Sequence, residues 1–279
     1  TWTINGAGGP TGVCVYESDK LPMIDGAVLN CDAGAGVVYA HQPVQEGSGY
    51  RLEPSVLLGR TDVSGKAADD GKGQWFRPSD VCVGPDGSVY VADWFDPGVG
   101  GHAARDRESY GRILRVTPKG GLGEPREGLR SPCLSTRAVE RARLSELGNE
   151  AAATIAELWS DPDPRVVSRA MQFAISDTKD SRAAMAVHQF DWTPELQIAA
   201  IRALWLYDPS SLERPSLGLA AAPSGLVRAC FARILRGLFW EDRAEPLLVV
   251  ALNHEVGDRV SLESIGIGAR GHEGEFALL

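Results

Sequence analysis

The first half of this chain can be laid on itself. Gly9-Pro10-Thr11-Gly12-Val13-Cys14-Val15 aligns with Arg77-Pro78-Ser79-Asp80-Val81-Cys82-Val83, and Asn30-Cys31-Asp32 then falls against Val91-Ala92-Asp93. Both copies carry short runs of alternating character, such as Val28-Leu29-Asn30-Cys31, Ser88-Val89-Tyr90-Val91 and Ile113-Leu114-Arg115-Val116, separated by turn residues. That period of two marks strands with one buried face. Pro85-Asp86-Gly87 is the clearest hairpin turn among them. Each copy closes with a second hairpin, Val37-Val38-Tyr39 in one and Arg112-Ile113-Leu114-Arg115-Val116 in the other. A repeated unit of about four strands is a propeller blade. Residues 1–120 supply roughly two blades, against the ~4–8 that close a propeller. The sequence therefore predicts the C-terminal blades of a β-propeller, with the chain starting inside it.

The grammar changes in the second half. Of 32 glycines, 23 lie before residue 129, and the rest of the chain is rich in Ala, Leu and Arg. Apolar residues now recur with a period near 3.6: Val166, Val167, Ala170, Met171 and Ala174; Ile198, Ile201, Leu204 and Trp205; Val227, Phe231, Ile234 and Leu238. Helix starts recur as well, at Asp163-Pro164, Thr193-Pro194, Pro223-Ser224-Gly225 and Gly257-Asp258, every 30 to 34 residues. Helix pairs at that spacing predict a HEAT-type α-solenoid. The expected division is 1–120 partial propeller, 121–133 linker and 134–279 HEAT-like repeats. Trp159, Trp192, Trp205 and Trp240 read as packing between those repeats.

With 28 Lys+Arg against 37 Asp+Glu, the formal net charge is −9, which argues against a nucleic-acid partner. No apolar run approaches the ~20 residues of a membrane helix. The five cysteines, Cys14, Cys31, Cys82, Cys133 and Cys230, form no Cys-x-x-Cys-His motif, so no c-type haem site is expected here. Cys14 and Cys31 fall on adjacent antiparallel strands and could be cross-strand neighbours, although small buried thiols are the commoner outcome. His41, His188, His254 and His272 show no metal spacing and read as packed or solvated.

The densest polar cluster is Trp75-Phe76-Arg77-Pro78-Ser79-Asp80 together with Asp93-Trp94-Phe95-Asp96-Pro97-Gly98-Val99-Gly100-Gly101-His102. In a blade, Arg77, Asp80, Asp93 and His102 converge where the innermost strand meets the channel. Carboxylates there, Asp93 and Asp96 in particular, could hold Ca²⁺ through oxygen, or an Asp could set His102 as a base. The structural alternative has Asp80 and Asp93 hydrogen-bonding the backbone at blade turns while Arg77 pairs with one of them. Asp32 stands at the repeat position of Asp93, which favours that alternative. Asp96 and His102 have no counterpart in the other copy, which makes them the stronger functional candidates.

Taken together, Gly9–Tyr16, Leu21-Pro22, Gly26, Cys31-Asp32-Ala33-Gly34 and Phe76–His102 resemble the PVC-type membrane-bound dehydrogenase proteins. The resemblance is specific over residues 9–118 and similar in kind beyond Leu134. It implies a six-bladed propeller like that of glucose/sorbosone dehydrogenases, then HEAT repeats and commonly a c-type cytochrome domain, in a large bacterial protein. In the wider quinoprotein sugar dehydrogenases an Arg-x-Arg-Asp run of a late blade faces pyrroloquinoline quinone (PQQ). The matching positions here read Arg77-Pro78-Ser79-Asp80, with Ser79 in place of the second arginine. Arg77 and Asp80 are thus the cofactor-facing candidates that the resemblance implies.

The expected activity is that of an exported, periplasmic or cell-surface sugar or alcohol dehydrogenase using PQQ and Ca²⁺, with His102 as the base and electrons leaving to a haem domain that this chain lacks. Alternatives are a non-catalytic propeller–solenoid scaffold that binds carbohydrate or protein, with its partner on the concave helical face, and a Ca²⁺-dependent lactonase-like hydrolase.

Overall fold

The computed structural model describes residues 10–59, 76–95, 111–119, 121, 124–178, 192–212 and 217–279. The fold is mixed, with two antiparallel sheets and a set of helices. Among the described residues the strands form open sheets rather than a closed barrel or propeller. The chain divides into two compact units, Thr1–Val44 with Leu52–Val139, and Gln45–Arg51 with Glu140–Leu279.

The first sheet runs β1 (Pro10–Val15), β2 (Val28–Asp32), β3 (Val37–Glu46) and β4 (Gly49–Gly59) in sequence order; the second runs β5 (Pro78–Val83), β6 (Val89–Asp93) and β7 (Arg112–Val116). The repeat read in the sequence is physical. Pro10 pairs with Asp32 and Pro78 with Asp93, and in each copy a register shift comes directly after the proline. Alternation drives burial: along β6, Val89, Val91 and Asp93 point inward while Tyr90 and Ala92 are half-buried. Cys14 faces Leu29, and Cys31 faces Val38 on the other side of β2, so Cys14 and Cys31 are diagonal rather than opposite. All five cysteines are free thiols.

Tyr16 joins the two sheets. Its ring is fully buried, its hydroxyl donates to the Gly87 carbonyl at 2.8 Å, and it accepts from Leu21 N at 3.1 Å. Gly87 holds a left-handed φ of 78°, and a Cβ there would lie 2.5 Å from Ser18 Oγ. Both the turn and the crowding demand glycine. The stretch read as a linker is packed on this unit: Arg126 N donates to the Pro85 carbonyl at 3.1 Å, Arg126 pairs with Asp19 at 2.9 Å, and Leu129 is buried. Arg137 pairs with Glu17 at 2.9 Å.

The helices are α1 (Leu134–Leu147), α2 (Ala152–Leu158), α3 (Pro164–Phe173), α4 (Pro194–Tyr207), α5 (Leu217–Ala220), α6 (Gly225–Leu235), α7 (Trp240–Leu252), α8 (Arg259–Ala269) and α9 (Glu273–Phe276). Four of them start where the sequence places a cap: Asp163 accepts from Arg165 N and precedes Pro164, Thr193 accepts from Leu196 N, Ser224 precedes α6, and Asp258 accepts from Ser261 N. In the second unit α3 packs on α4, α4 on α6, and α6 on α8. Helix α6 is central, with every residue from Leu226 to Ala232 buried. Gly268 lets α8 approach it, since a Cβ there would sit 2.7 Å from the Ala232 carbonyl oxygen. Arg228 closes the turn before α6 by donating to the Ala222 and Pro223 carbonyls at 2.7 and 3.0 Å. Arg137 makes the same pair of bonds, to the Ser131 and Pro132 carbonyls, both at 3.0 Å. Trp159 meets Trp192 edge-on at 6.0 Å, and Trp205 lies against Gly237.

Asp258 also anchors the β3–β4 tip, accepting from Ser48 N at 2.7 Å. Burial alone would raise its pKa, but hydrogen bonds from Ser48, Ser261 and Val260 outweigh it and hold the carboxyl below the ordinary 3.8. A folded-state pKa below the unfolded one stabilises above pH 3.8 and is lost as pH falls through the depressed value. Asp258→Ala should cost about 1 kcal/mol at neutral pH, typical of a lost N-cap. Urea melts of both proteins should show this gap close only in strong acid.

The bridging phenol gives a second expectation. Tyr16→Phe strands the buried Leu21 N–H and Gly87 carbonyl and should destabilise by about 1–3 kcal/mol, read as a lower urea midpoint with unchanged slope.

Candidate functional site

The corner where β5 starts and β6 ends brings together part of the expected cluster. Asp93 is 3% exposed. Its Oδ1 accepts from Arg77 N at 2.8 Å and from Phe95 N at 3.0 Å, and its Oδ2 accepts from Arg112 Nε at 2.8 Å. Trp94 N returns a bond to the Arg77 carbonyl at 2.9 Å. Phe95, with a left-handed φ of 50°, lies under the Arg112 guanidinium at 4.1 Å from its ring centroid. The buried carboxylate thus fixes the path of the chain as it leaves β6. Its ion-pair partner is Arg112, whereas the structural alternative read from the sequence had Arg77 pairing with Asp80 or Asp93.

Arg77 is buried, and its Nη1 donates to the Ala33 and Phe76 carbonyls at 3.4 and 3.5 Å. Asp32, the repeat equivalent of Asp93, is fully buried; its Oδ1 accepts from Ala35 N at 2.9 Å, while its Oδ2 meets no donor among the described residues. Asp80 goes elsewhere. It is exposed, caps its own neighbour Val81 N at 2.8 Å, and lies against Gly12, where a Cβ would be 2.0 Å from Asp80 Oδ1. Its surroundings are thiols. Burial first, then Cys82 and Asp80, push Cys14 up to about 12; burial, Asp80 and Cys14 do the same to Cys31. These cysteines stay protonated and are not nucleophiles at neutral pH.

Arg77 and Asp93 are therefore neighbours, and Asp80 is not part of their group. Asp96 and His102 lie outside the described residues. No group of three His, Cys, Asp or Glu side chains among the described residues is placed to hold a metal ion. Calcium needs roughly six to eight oxygen ligands, and Asp93 already accepts three N–H donors. Asp96, the other carboxylate expected at a Ca²⁺ site, lies outside the described residues, and of the two cofactor-facing candidates Arg77 is buried while Asp80 is exposed. Among the other histidines, His41 is buried against Asn30 at 3.3 Å, and His272 stacks on Trp240 at 4.8 Å; His188 lies outside the described residues.

The second unit holds a groove that sequence reasoning missed. It has a volume of about 520 Å³ and lies between the β3–β4 tip at Ser48-Gly49-Tyr50 and one face of α4, α6 and α8. The tip is fitted closely there. A Cβ on Gly49 would lie 2.7 Å from Val260, and one on Gly225 would lie 2.5 Å from Ser48 Oγ. Arg202 and Arg233 line the groove together with Glu195 and the buried Cys230. The signal in the sequence is the spacing of the arginines, each nine residues after a helix cap, Thr193 or Ser224.

A family model for a domain of unknown function, DUF7133, matches residues 2–120. No curated protein and no solved structure matches the chain. Among the described residues no helix is long and apolar enough to cross a membrane.

If Asp93 is the structural centre of this corner, Asp93→Ala should cost about 2–4 kcal/mol, because it orphans two backbone amides. Arg112→Ala, at a half-exposed side chain, should cost no more than about 1 kcal/mol. Chemical denaturation separates the two, and equal losses would mean the ion pair rather than the backbone capping holds the corner.

Proposed function

We propose that the chain is a propeller–solenoid scaffold, in which blades of a β-propeller lead into HEAT-like helical repeats in the order found in the PVC-type membrane-bound dehydrogenase proteins it resembles. The observation that carries the scaffold role is the filled Asp93 carboxylate at the corner where β6 ends. It is filled by the Arg77 and Phe95 amides and the Arg112 guanidinium, which leaves it poorly suited to a substrate or cofactor.

Several features support the propeller and solenoid. Both sheets share the proline–aspartate pairing and the shift after it. Their first strands lie side by side, with Thr11 Oγ1 donating to the Pro78 carbonyl at 3.0 Å, as innermost strands of adjacent blades would. Val13 and Ile113 are 64% and 68% exposed, an apolar surface that neighbouring blades would cover. The serial packing of α3, α4, α6 and α8 supports stacked repeats.

The second reading, an exported quinoprotein-like sugar or alcohol dehydrogenase passing electrons to a c-type haem domain, is favoured by Arg77 and Asp80 standing at the positions of the cofactor-facing run. In that reading the chemistry depends on residues outside the described ones, His102 and Asp96 among them.

Two blades cannot close a propeller channel, so the chain by itself is expected to be inactive under either reading, and activity is the outcome that discriminates. The purified chain with PQQ, Ca²⁺ and a panel of sugars and alcohols should reduce no dye, and Arg77→Ala should lower its stability. Reduction that requires PQQ and Ca²⁺ together would overturn the scaffold reading in favour of the dehydrogenase. Hydrolysis of a lactone with Ca²⁺ alone would overturn both.

A further inference from the structure

Arg202 lies nine residues after the cap Thr193, and Arg233 nine after the cap Ser224. Each reaches the same place on the next helix. Arg202 lies close enough to Cys230, six residues after Ser224, to draw its thiol pKa down against burial, and Arg233 Nε donates at 2.9 Å to Ser264 Oγ, six after Asp258. The two guanidiniums stand on one face of neighbouring helices, while Gln172 and Ile267 hold the corresponding positions after the caps Asp163 and Asp258. Both are exposed, and among the described residues neither is in an ion pair. Their partners are neutral, so most of their N–H donors remain to be used. Two like charges on adjacent helices repel, and an anion between them would relieve that repulsion.

The opposite end of the groove is acidic. Glu195 precedes Arg202 by seven residues on α4, which is two turns along the same face and about 10 Å at about 1.5 Å per residue. Tyr50 stands beside it: burial and then the Glu195 carboxylate raise the phenol pKa, with Arg202 opposing them. Ile198, Ala199, Leu226 and Val260 make an apolar lining between the ends. Burial pushes the Cys230 thiol up in spite of Arg202, so it contributes shape rather than reactivity.

We propose that this groove binds a short extended ligand with a carboxylate or phosphate at one end, held by Arg202 and Arg233, and an ammonium or hydroxyl donor at the other, held by Glu195. Planar guanidiniums suit those anions through paired N–H donors. The volume of about 520 Å³ lies within the range of small-molecule sites. About 10 Å is the length of three extended peptide residues, so a tripeptide with free ends is the simplest probe. The inference stands on the groove alone and is independent of the propeller reading.

The test is calorimetric titration of the whole 279-residue chain with tri-alanine, its C-terminal amide, and inorganic phosphate. Tri-alanine should bind, and the amide should bind more weakly by about tenfold or more, the worth of one charge-assisted hydrogen bond. R202A and R233A should each weaken tri-alanine by a similar factor, with R202K recovering part of the loss. E195Q should weaken tri-alanine and leave phosphate unchanged. Phosphate binding lost in R202A, with tri-alanine silent, assigns the anion end to a phosphate ester. The proposal falls if neither probe binds at millimolar concentration, or if both arginine variants, with unchanged thermal melts, bind as the parent does.

Discussion

A fully buried phenol decides how the strand unit holds together. Tyr16 comes just after β1, yet its hydroxyl reaches the β5–β6 turn and accepts from Leu21 in its own loop. One side chain thereby satisfies two backbone groups that would otherwise be buried without partners. The turn it grips exists only because Gly87 takes a left-handed conformation against Ser18 and Lys20. Loop, turn and both sheets are thus specified by one another.

The same economy governs the corner at Asp93. A carboxylate taken out of water must have its lone pairs filled, and here two backbone amides and one guanidinium fill them. Such a group is rigid and structurally committed. It is a poor starting point for chemistry that needs a carboxylate free to bind a metal or move a proton. The groove in the helical unit has the converse character, with exposed charges of both signs, neutral partners and an apolar lining.

Much of this was legible in the sequence. The strand repeat could be read because Pro10 and Pro78 each start a strand whose partner ends in aspartate, and strand alternation left Val89 and Val91 in plain view. Helix starts were legible because capping is local chemistry: Asp163-Pro164 and Thr193-Pro194 act within three residues. The features that escaped depend on distant partners. The diagonal placement of Cys14 and Cys31 comes from strand register, the position of Asp80 from a glycine on another strand, and the packing of the segment around Arg126 from that residue finding Pro85 and Asp19. Asp96 and His102, the strongest candidates for chemistry, lie outside the described residues.

The bond between Ser48 and Asp258 spans 210 residues. At a synthesis rate of ~5–20 residues per second, the hairpin tip leaves the ribosome about 10 to 40 s before its carboxylate partner exists. The glycines that make Gly47-Ser48-Gly49 fit so closely would meanwhile stand open, with unpaired amides next to an apolar Leu52 and Val56 that remain exposed even in the folded chain. The helical unit is therefore completed only after that interval, and a chain stopped short of α8 would carry an unsecured hairpin whatever the state of its sheets.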